Sequence, residues 1–399
     1  MHLFTALTAM LALLRIALAG ANLPRQASSI PSSCPGVTAR TTYKLSAATG
    51  WKYTLLASGF TKPRCLLFNT EGHLLVLKAG KGLTAHTLSA DGCIASSKTV
   101  ISMAQLNHGL ALSPDGKTLY VSAAPTAWPY ASDPKTMTAT NQQVVVKGMN
   151  PGGYSSRMLA VLPNQPDLLI VSLGSGGNID EPTIAKETGR AIVKVFDLGK
   201  APAGWYMYNT QGWYLGYGLR NEVALVFDGN NMVWGVENSG DQLTRVTVGD
   251  PKVITDKAFK VGQQFMILPN ATFDDASCVA KSVLPRLSIK AYSAPIDGKF
   301  DKAFANMYVS LHGSWNRQPA TRYKVVQIPF QKLNDSRYNP VAPQDSAAGY
   351  SDVLWTQNEG GCSGTTCLRP TGITWHPDFS RMYVGSDGSV GEIYLLYKA

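Results

Sequence analysis

The sequence predicts an all-β protein, a six-bladed β-propeller, from its composition, its turn signals and a repeat of short strands. Only 16% of its 399 residues are charged, against roughly 25% in average soluble domains. Helical proteins cover their surfaces with Glu, Lys and Arg, so this composition favours strands. The 37 glycines and 23 prolines favour many turns. A hydrophobic content of 45% excludes a disordered chain.

Six short apolar runs follow turn signals along the chain, and each has the pattern of a strand. They begin at intervals of roughly 45 to 75 residues, as expected for blades of about 40–50 residues with inserted loops. Several follow similar hairpin turns, such as Pro114-Asp115-Gly116. We therefore predict six four-stranded blades over residues 34–399. The runs are residues 74–77, 119–122, 168–171, 233–236, 307–310 and 382–385.

The first residues have the pattern of a signal peptide. Residues 3–19 are almost continuously apolar and end in Ala17-Leu18-Ala19, whose small residues match a signal-peptidase site. We predict a signal peptide over residues 1–19, a linker over 20–33 and a secreted protein. Arg15 interrupts the run, and no later run reaches the roughly 18 apolar residues of a transmembrane helix. We therefore expect no membrane association.

Six cysteines are consistent with an oxidising compartment. Fifteen pairings are possible, and only the close pair Cys362 and Cys367 is singled out by its spacing. No spacing suggests a zinc site. Two sequons, at Asn270 and Asn334, predict glycosylation if the chain is exported.

A second short apolar strand precedes each of the six runs, and its start faces the axis of a propeller. Four of these starts carry an arginine and one carries His108. Guanidinium groups gathered around one axis repel one another unless an anion lies among them. Each arginine could instead pair within its own blade, but the shared register favours a common anion site. The starts are Arg64-Cys65-Leu66, Asn107-His108-Gly109, Arg157-Met158-Leu159, Arg220-Asn221-Glu222, Pro295-Ile296-Asp297 and Arg369-Pro370-Thr371.

The formal net charge of +10 leaves the nature of this anion open. The sequence has no basic tract, basic helix or RNA-binding motif, so nucleic acid fits poorly. The glycine run Gly174-Ser175-Gly176-Gly177 lies between predicted strands, which makes it a turn and not a phosphate loop. A compact polyanion near the axis is the better match.

Six motifs in this order resemble the fungal secreted pyrroloquinoline quinone (PQQ)-dependent pyranose dehydrogenases, which are related to soluble glucose and sorbosone dehydrogenases. The resemblance extends from about Cys34 to Tyr397. Each motif is weak alone, and their order along one propeller makes the resemblance specific. The motifs are residues 106–109, 171–180, 218–221, 236–241, 312–317 and 367–372.

The resemblance implies a cofactor that explains the arginines. PQQ is a flat quinone with three carboxylates, which planar guanidinium forks bind bidentately. The implied PQQ-binding residues are Arg157, Arg220, Asn221, His312, Trp315, Arg317 and Arg369, with Trp315 able to stack near the ring. A Ca²⁺ ion is implied at the turn Asn238-Ser239, held through backbone carbonyls.

The implied activity is oxidation of a pyranose or other aldose at its anomeric carbon. Hydride would pass to PQQ, and electrons would pass to an external acceptor such as a haem domain or a secreted redox enzyme. A closed propeller has no exposed sheet edge that demands a partner, so we expect a monomer.

Tyr154 departs from the family pattern. In that pattern, residues 153–157 would read Gly-His-Thr-Thr-Arg or a close variant, with the histidine as general base. A phenol titrates near pH 10, so tyrosine is a poor base at neutral pH. His108 is a possible substitute, although its motif accompanies the catalytic histidine in the family and favours a cofactor-side or structural role.

A second departure follows Asp241-Gln242-Leu243. The family continues there with an acidic Asn-Pro-Gly segment and a Gly-Asn-Tyr-Gly loop that lines the sugar pocket and ends near a cysteine. This chain passes directly to residues 244–260. Either the substrate differs or an exon has been lost from the predicted gene, and Cys278 loses its usual partner.

Two other functions remain in view. The first is a PQQ- or sugar-binding propeller whose catalysis was lost with the histidine at position 154. The second is a metal-dependent lactone hydrolase, which needs several carboxylates on the axis where this sequence places mostly arginine.

Overall fold

The structure, a computed structural model, describes residues 33–38, 44–240, 244–247, 250–253, 261–265, 270–272, 274–363, 366–388 and 391–399. The predicted signal peptide and all of the predicted linker except Ser33 lie outside these residues. Apart from short helical turns, the described part contains one helix, α1, at Asp275–Lys281. The all-β prediction is therefore confirmed. No helix in this part of the chain is long and apolar enough to cross a membrane.

Twenty-eight strands make up the described structure. In chain order they are β1 Leu45–Ala47, β2 Trp51–Ser58, β3 Pro63–Phe68, β4 Leu74–Lys78, β5 Gly82–Leu88, β6 Ile94–Ser102, β7 Leu110–Leu112, β8 Thr118–Ser122, β9 Thr126–Asp133, β10 Thr138–Thr140, β11 Val146–Lys147, β12 Leu159–Leu162, β13 Gln165–Leu173, β14 Ile192–Asp197, β15 Tyr206–Met207, β16 Trp213–Tyr217, β17 Glu222–Phe227, β18 Val233–Glu237, β19 Thr244–Thr247, β20 Asp250–Val253, β21 Pro295–Phe300, β22 Asn306–His312, β23 Tyr323–Lys332, β24 Tyr338–Pro340, β25 Ser351–Thr356, β26 Pro370–Trp375, β27 Arg381–Ser386 and β28 Glu392–Lys398. Each of the six predicted runs lies in the second strand of a unit, namely β4, β8, β13, β18, β22 and β27.

Five sheets of four or more strands form a ring of blades. In chain order they are β3-β4-β5-β6, then β7-β8-β9-β11-β15, then β12-β13-β14-β16, then β21-β22-β23-β25-β1, and finally β26-β27-β28-β2. Two short strands, β10 and β24, add to the second and fourth of these sheets. Buried apolar side chains fill the spaces between neighbouring blades, for example where the second blade packs against the third.

The prediction of six blades is wrong, because the described residues form a five-bladed propeller. The unit predicted around residues 233–236 is only the two-stranded sheet β17–β18, whose β17 contacts β12 and β21. The next two strands, β19 and β20, pair with each other and not with β18. The repeat in the sequence marks one strand per unit, and in the described residues β17 and β18 gain no third or fourth strand.

The two ends of the described chain meet in the last blade, where β2 pairs with β28 along its whole length. This pairing closes the ring. A disulfide between Cys34 and Cys93 fastens the N-terminal segment to the first blade. The predicted pair Cys362–Cys367 is confirmed as a second disulfide. Cys65, which is buried, and Cys278 are free thiols.

Buried hydroxyl groups join the strands of neighbouring blades. Ser122 Oγ donates to the Arg157 carbonyl at 2.8 Å, and Thr371 Oγ1 donates to the Pro63 carbonyl at 2.7 Å. A Cβ built on Gly109 would lie 2.0 Å from that same Arg157 carbonyl oxygen, so this approach requires glycine. Close packing of the strands therefore brings the strand starts of neighbouring blades close to one another.

Candidate functional site

Two cavities lie where the strand starts converge. A narrow cavity of about 450 Å³ is lined by Lys62, Arg64, Ala79, Asn107, His108, Ser155, Ser156, Arg369 and Asp387. A larger cavity of about 1770 Å³ is lined by residues that include Tyr154, Arg220, Asn221, Glu222, Glu237, Asn238 and Trp315. Because Tyr154 is followed directly by Ser155 and Ser156, one chain segment contributes to the walls of both.

The narrow cavity is cationic. Lys62, Arg64 and Arg369 face a single carboxylate among its lining residues, that of Asp387. Arg64 Nη1 lies 2.8 Å from Asp387 Oδ2, and Arg369 Nε lies 3.7 Å from Asp387 Oδ1. Three positive groups against one negative group leave a surplus of positive charge, which favours an anion with several carboxylates.

His312 links Asp387 to Arg369. His312 Nε2 lies 2.6 Å from Asp387 Oδ1, and Arg369 Nη2 lies 2.9 Å from His312 Nδ1. Burial, aided by the charges of Arg64 and Arg369, lowers the pKa of His312 to about 4 despite the opposing effect of Asp387. The imidazole is therefore neutral at pH 7. Arg369 Nε also lies 3.2 Å from His312 Nε2. We assign the proton of His312 to Nε2, because the 2.6 Å contact with Asp387 Oδ1 is the shortest of the three, and Nδ1 then accepts from Arg369 Nη2.

Asp387 remains ionised in this network. Its burial alone would raise its pKa, but the hydrogen bond from His312 and the positive charge of Arg64 hold the pKa well below its usual range. His108, another residue of this cavity, is also neutral at pH 7, because burial lowers its pKa to about 3. Its Nε2 contacts the Val223 carbonyl at 3.1 Å, and its buried Nδ1 has no hydrogen-bond partner among the described residues.

Tyr154 and Arg220 form the polar wall of the large cavity. The Arg220 guanidinium donates to the Tyr154 hydroxyl oxygen and lies 4.3 Å from the centre of the tyrosine ring. Arg220 also donates to the Asn178 carbonyl at 3.0 Å and to the Asn238 carbonyl at 2.9 Å. Tyr154 itself is held by its backbone N–H, which donates to the Ser175 carbonyl at 3.0 Å.

The glycine-rich segment of residues 174–180 supports this wall. Asp180 forms two hydrogen bonds of 2.7 Å with Arg190 and accepts the Gly176 backbone N–H at 2.5 Å. These contacts fix the turn that presents the Asn178 oxygens to Arg220. The sequence predicted a turn here, and the role of this turn is to position Arg220.

Two carboxyl groups lie across from each other on the hairpin, at Glu222 and Glu237. Burial and the neighbouring Glu237 raise the pKa of Glu222 to about 8, so Glu222 is mostly protonated at pH 7. Burial raises the pKa of Glu237 as well, although a 2.6 Å hydrogen bond from the Arg220 backbone N–H opposes this. Asn221, next to Glu222, has a buried carboxamide oxygen that finds no hydrogen-bond partner in the described part of the chain.

The predicted PQQ-binding residues lie in different places. Arg369 and His312 meet at the narrow cavity, while Arg220, Asn221 and Trp315 line the large one. Trp315 is 78% exposed, so it is not a core residue. Arg317 is also exposed, with its guanidinium carbon 5.7 Å from the centre of the Tyr292 ring.

Arg157 lies apart from both cavities, in the core of the fold. It is fully buried, and its guanidinium donates to the carbonyls of Ala124, Tyr154, Ser156 and Asn150 at 2.5–2.9 Å. Burial lowers its pKa to about 10, so it stays charged. Its N–H groups are engaged by four backbone carbonyls, which makes it a support for the loop that carries Tyr154.

The predicted calcium residues, Asn238 and Ser239, lie just after β18 at the large cavity. The Asn238 carbonyl accepts from Arg220, and the Asn238 side chain donates to the Pro295 carbonyl at 2.8 Å. The oxygen atoms of Glu237 and Asn221 lie on the neighbouring strand ends. Among the described residues, no group of three or more His, Cys, Asp or Glu side chains is arranged to hold a metal ion.

No role was predicted from the sequence for Lys62 or Asp387, which line the narrow cavity, or for Glu222. Asp387 follows the second strand of its unit and lies outside the predicted strand starts, so only the fold could bring it to Arg64, 323 residues away in the chain. The sequence shows Glu222 directly after Arg220-Asn221, but it does not show that Glu222 is buried.

The fold and these cavities define a β-propeller with a cationic pocket between its blades. A family profile described as TrAA12-like matches residues 45–248 and 244–399. Together the two matches cover most of the sequence, so the chain belongs to the TrAA12-like family, in agreement with the resemblance found in the sequence.

Two named proteins are similar to this chain in sequence. A pyrroloquinoline quinone-dependent pyranose dehydrogenase from Coprinopsis cinerea is 36% identical over 412 residues, which cover 92% of this chain and 56% of that protein. The chain thus spans only a little more than half of that relative. A pyrroloquinoline quinone-dependent sugar dehydrogenase from Hypocrea jecorina is 30% identical over 402 residues, which cover 88% of this chain and 89% of that protein.

Solved structures agree with the fold. The holo form of the PQQ domain of the Coprinopsis cinerea pyranose dehydrogenase superposes with a TM-score of 0.87 at 36% identity, covering 92% of this chain and all of that domain. A Trichoderma reesei enzyme of carbohydrate-active family AA12 superposes with a TM-score of 0.83 at 29% identity, again covering 92% of this chain and 100% of that one.

Proposed function

We propose that this protein is a secreted quinoprotein that binds PQQ with Ca²⁺ and oxidises a pyranose or related aldose at its anomeric carbon. Electrons would leave through an external acceptor. The observation that carries the proposal is the cationic narrow cavity with Lys62, Arg64 and Arg369, which shares a wall segment with the large cavity at Tyr154 and Arg220. The names of the two fungal relatives support the same chemistry.

The residues present fit PQQ. The two guanidinium forks and the ammonium group of the narrow cavity match the carboxylates of a planar tricarboxylate. Arg220, Asn221 and the exposed Trp315 face the adjoining space, where polar groups and an aromatic face suit a quinone. Arg157 would act indirectly, by supporting the loop that bears Tyr154.

The residues present also fit calcium. Calcium takes oxygen ligands from carboxylates, carboxamides and backbone carbonyls. The partnerless carboxamide oxygen of Asn221, the Glu237 carboxyl group and the turn at Asn238-Ser239 supply such atoms at one end of the hairpin.

PQQ, when bound, accepts the hydride from the anomeric carbon. The chain must bind the sugar, orient it and accept the proton of its anomeric hydroxyl. Tyr154 presents its hydroxyl oxygen to the large cavity, with the Arg220 guanidinium donating to that oxygen. Without an imidazole at this position, we expect slow turnover.

A cofactor titration tests the proposal. Purified protein stripped of metal would be titrated with PQQ and Ca²⁺, and we expect a dissociation constant in the micromolar range or tighter. At PQQ concentrations about 100-fold above that constant, the unfolding free energy should rise by about 2.7 kcal/mol. Absence of binding would remove the proposal.

A second function, a binding protein without turnover, is favoured by one observation, the tyrosine at position 154. Dye-linked oxidation of a panel of sugars by the loaded protein decides between the two. Dye reduction with any aldose supports the enzyme, and cofactor binding without dye reduction supports the binder.

A further inference from the structure

Asp387 has no assigned role, although it lies at the centre of the charged groups of the narrow cavity. Its two carboxylate oxygens have different partners. Oδ2 accepts from Arg64 at 2.8 Å, and Oδ1 accepts from His312 at 2.6 Å. Asp387 follows the end of β27, whereas Arg64 lies on β3 and His312 ends β22, so this single side chain ties together three different blades.

The network continues from His312 to the second arginine. Because the His312 Nε2–H points at Asp387, Nδ1 is free to accept from Arg369 Nη2, 2.9 Å away. His312 is partly buried, and both of its nitrogens are engaged. It therefore transmits the position of Asp387 to Arg369 and is not available as a base.

We propose that Asp387 is a positioning residue that aims Arg64 directly, and Arg369 through His312, at the carboxylates of the bound cofactor. The inference rests on the proposed PQQ binding. Long arginine side chains lose conformational freedom when they bind an anion, and a site that already holds them in place loses less of it.

Charge alone predicts the opposite of positioning, which makes the idea testable. Removing a carboxylate from a pocket that binds an anion raises its positive potential, so a purely electrostatic account expects tighter PQQ binding by Asp387→Asn. Positioning expects weaker binding. An asparagine presents an NH₂ group where Asp387 has one of its two acceptor oxygens, and that NH₂ group would face a donor of Arg64 or His312.

The experiment is a PQQ titration followed by tryptophan fluorescence, without sugar or turnover. We expect Asp387→Asn to raise the dissociation constant at least tenfold. The matched control is Asp352→Asn, which removes the same charge from an ion pair with Lys324 that lies outside both cavities. The control should stay within twofold of wild type. An unchanged or lower constant for Asp387→Asn overturns the inference.

A double-mutant cycle tests whether Asp387 acts through Arg64. In an Arg64→Gln background, the loss caused by Asp387→Asn should be at least threefold smaller than in wild type, because one of its two targets is gone. Full additivity would assign the effect to another cause and overturn the inference. If Asp387→Asn does not fold, Asp387→Glu replaces it. That variant keeps the charge but displaces it by one methylene, and it should also weaken binding at least fivefold.

Failure of the proposed function would look different. Wild-type protein that binds no PQQ would defeat the proposed function itself. Wild-type binding that Asp387→Asn and Asp387→Glu leave unchanged would defeat only the positioning role.

Discussion

Tyr154 lies against Arg220, and this contact decides what the large cavity can do. A histidine in the same place would accept a proton readily at neutral pH. A tyrosine hydroxyl that accepts a hydrogen bond from a guanidinium group is well placed to bind a sugar hydroxyl, but it is a weaker proton acceptor. Binding and catalysis are therefore separable at this one residue.

We expect Tyr154→His to speed up sugar oxidation by the PQQ-loaded protein. General base catalysis contributes about 10²–10⁴-fold, so a gain of at least tenfold in kcat is the expected result. The measurement is dye-linked oxidation under saturating sugar. Tyr154→Phe is the matched control, which should bind PQQ but show less activity than wild type. If Tyr154→His shows no gain in kcat, the shape of the pocket and not the missing base limits the rate.

Arg157 illustrates why residue type and register do not establish a role. It shares its register with Arg64, Arg220 and Arg369, yet its guanidinium is enclosed by four carbonyls. The pattern predicted an arginine at the axis in each of these blade starts. Whether the fork points toward the axis or into the loop depends on the local backbone, which no sequence motif encodes.

At the scale of elements, the hairpin β17–β18 supplies one side of the large cavity. Glu222 and Glu237 face each other across it, and the interior position of Glu222 keeps its carboxyl group protonated at neutral pH. The six predicted apolar runs were all found, because a short apolar run bounded by turn residues leaves a clear signal in single strands. The number of strands around each run was not predictable from that signal.

Glu222 makes the stability of this hairpin depend on pH. Its pKa of about 8 in the folded protein lies above the ordinary value of roughly 4.3. A raised carboxyl pKa means that the unfolded chain ionises first, so stability is full below about pH 4 and falls as pH rises toward 8. Over this pH range we expect the wild-type protein to lose on the order of a few kcal/mol of unfolding free energy. Glu222→Gln should abolish this loss, because glutamine does not ionise.

The measurement for Glu222→Gln is urea unfolding at several pH values between about 4 and 9. The control is Glu187→Gln, which changes an exposed carboxyl group and should reproduce the wild-type profile. A Glu222→Gln profile parallel to that of wild type would contradict the raised pKa.

At the scale of the whole molecule, the ring is closed by the strand pair β2–β28 and by the disulfide Cys34–Cys93. The disulfide joins residues 59 positions apart. In the chain-entropy account, a loop of this length contributes about 4 kcal/mol by restricting the unfolded chain.

We expect the double variant Cys34→Ser and Cys93→Ser to lose about 4 kcal/mol of unfolding free energy in guanidinium chloride. Cys278→Ser is the control, since Cys278 is a free thiol and its replacement should leave the midpoint nearly unchanged. A double variant as stable as wild type would mean that the strands of the last blade close the ring without help.

The sequence by itself determined the strand-rich class, the positions of the second strand in every unit, the close disulfide and the family. These features depend on residues near one another in the chain, or on motifs whose order survives at about 36% identity. Only the tertiary structure decided the number of blades, because a blade exists only when successive strands pair, and β18 gains no further partner in the described residues.

The fold was also needed to show which cavity each arginine lines. Arg64 and His312 belong to other blades than Arg369 and Asp387, and the four groups meet only because the blades close into a ring. The composition shows a surplus of positive charge. Which positive groups share a cavity, and which one is enclosed by backbone carbonyls, is set by packing around the axis.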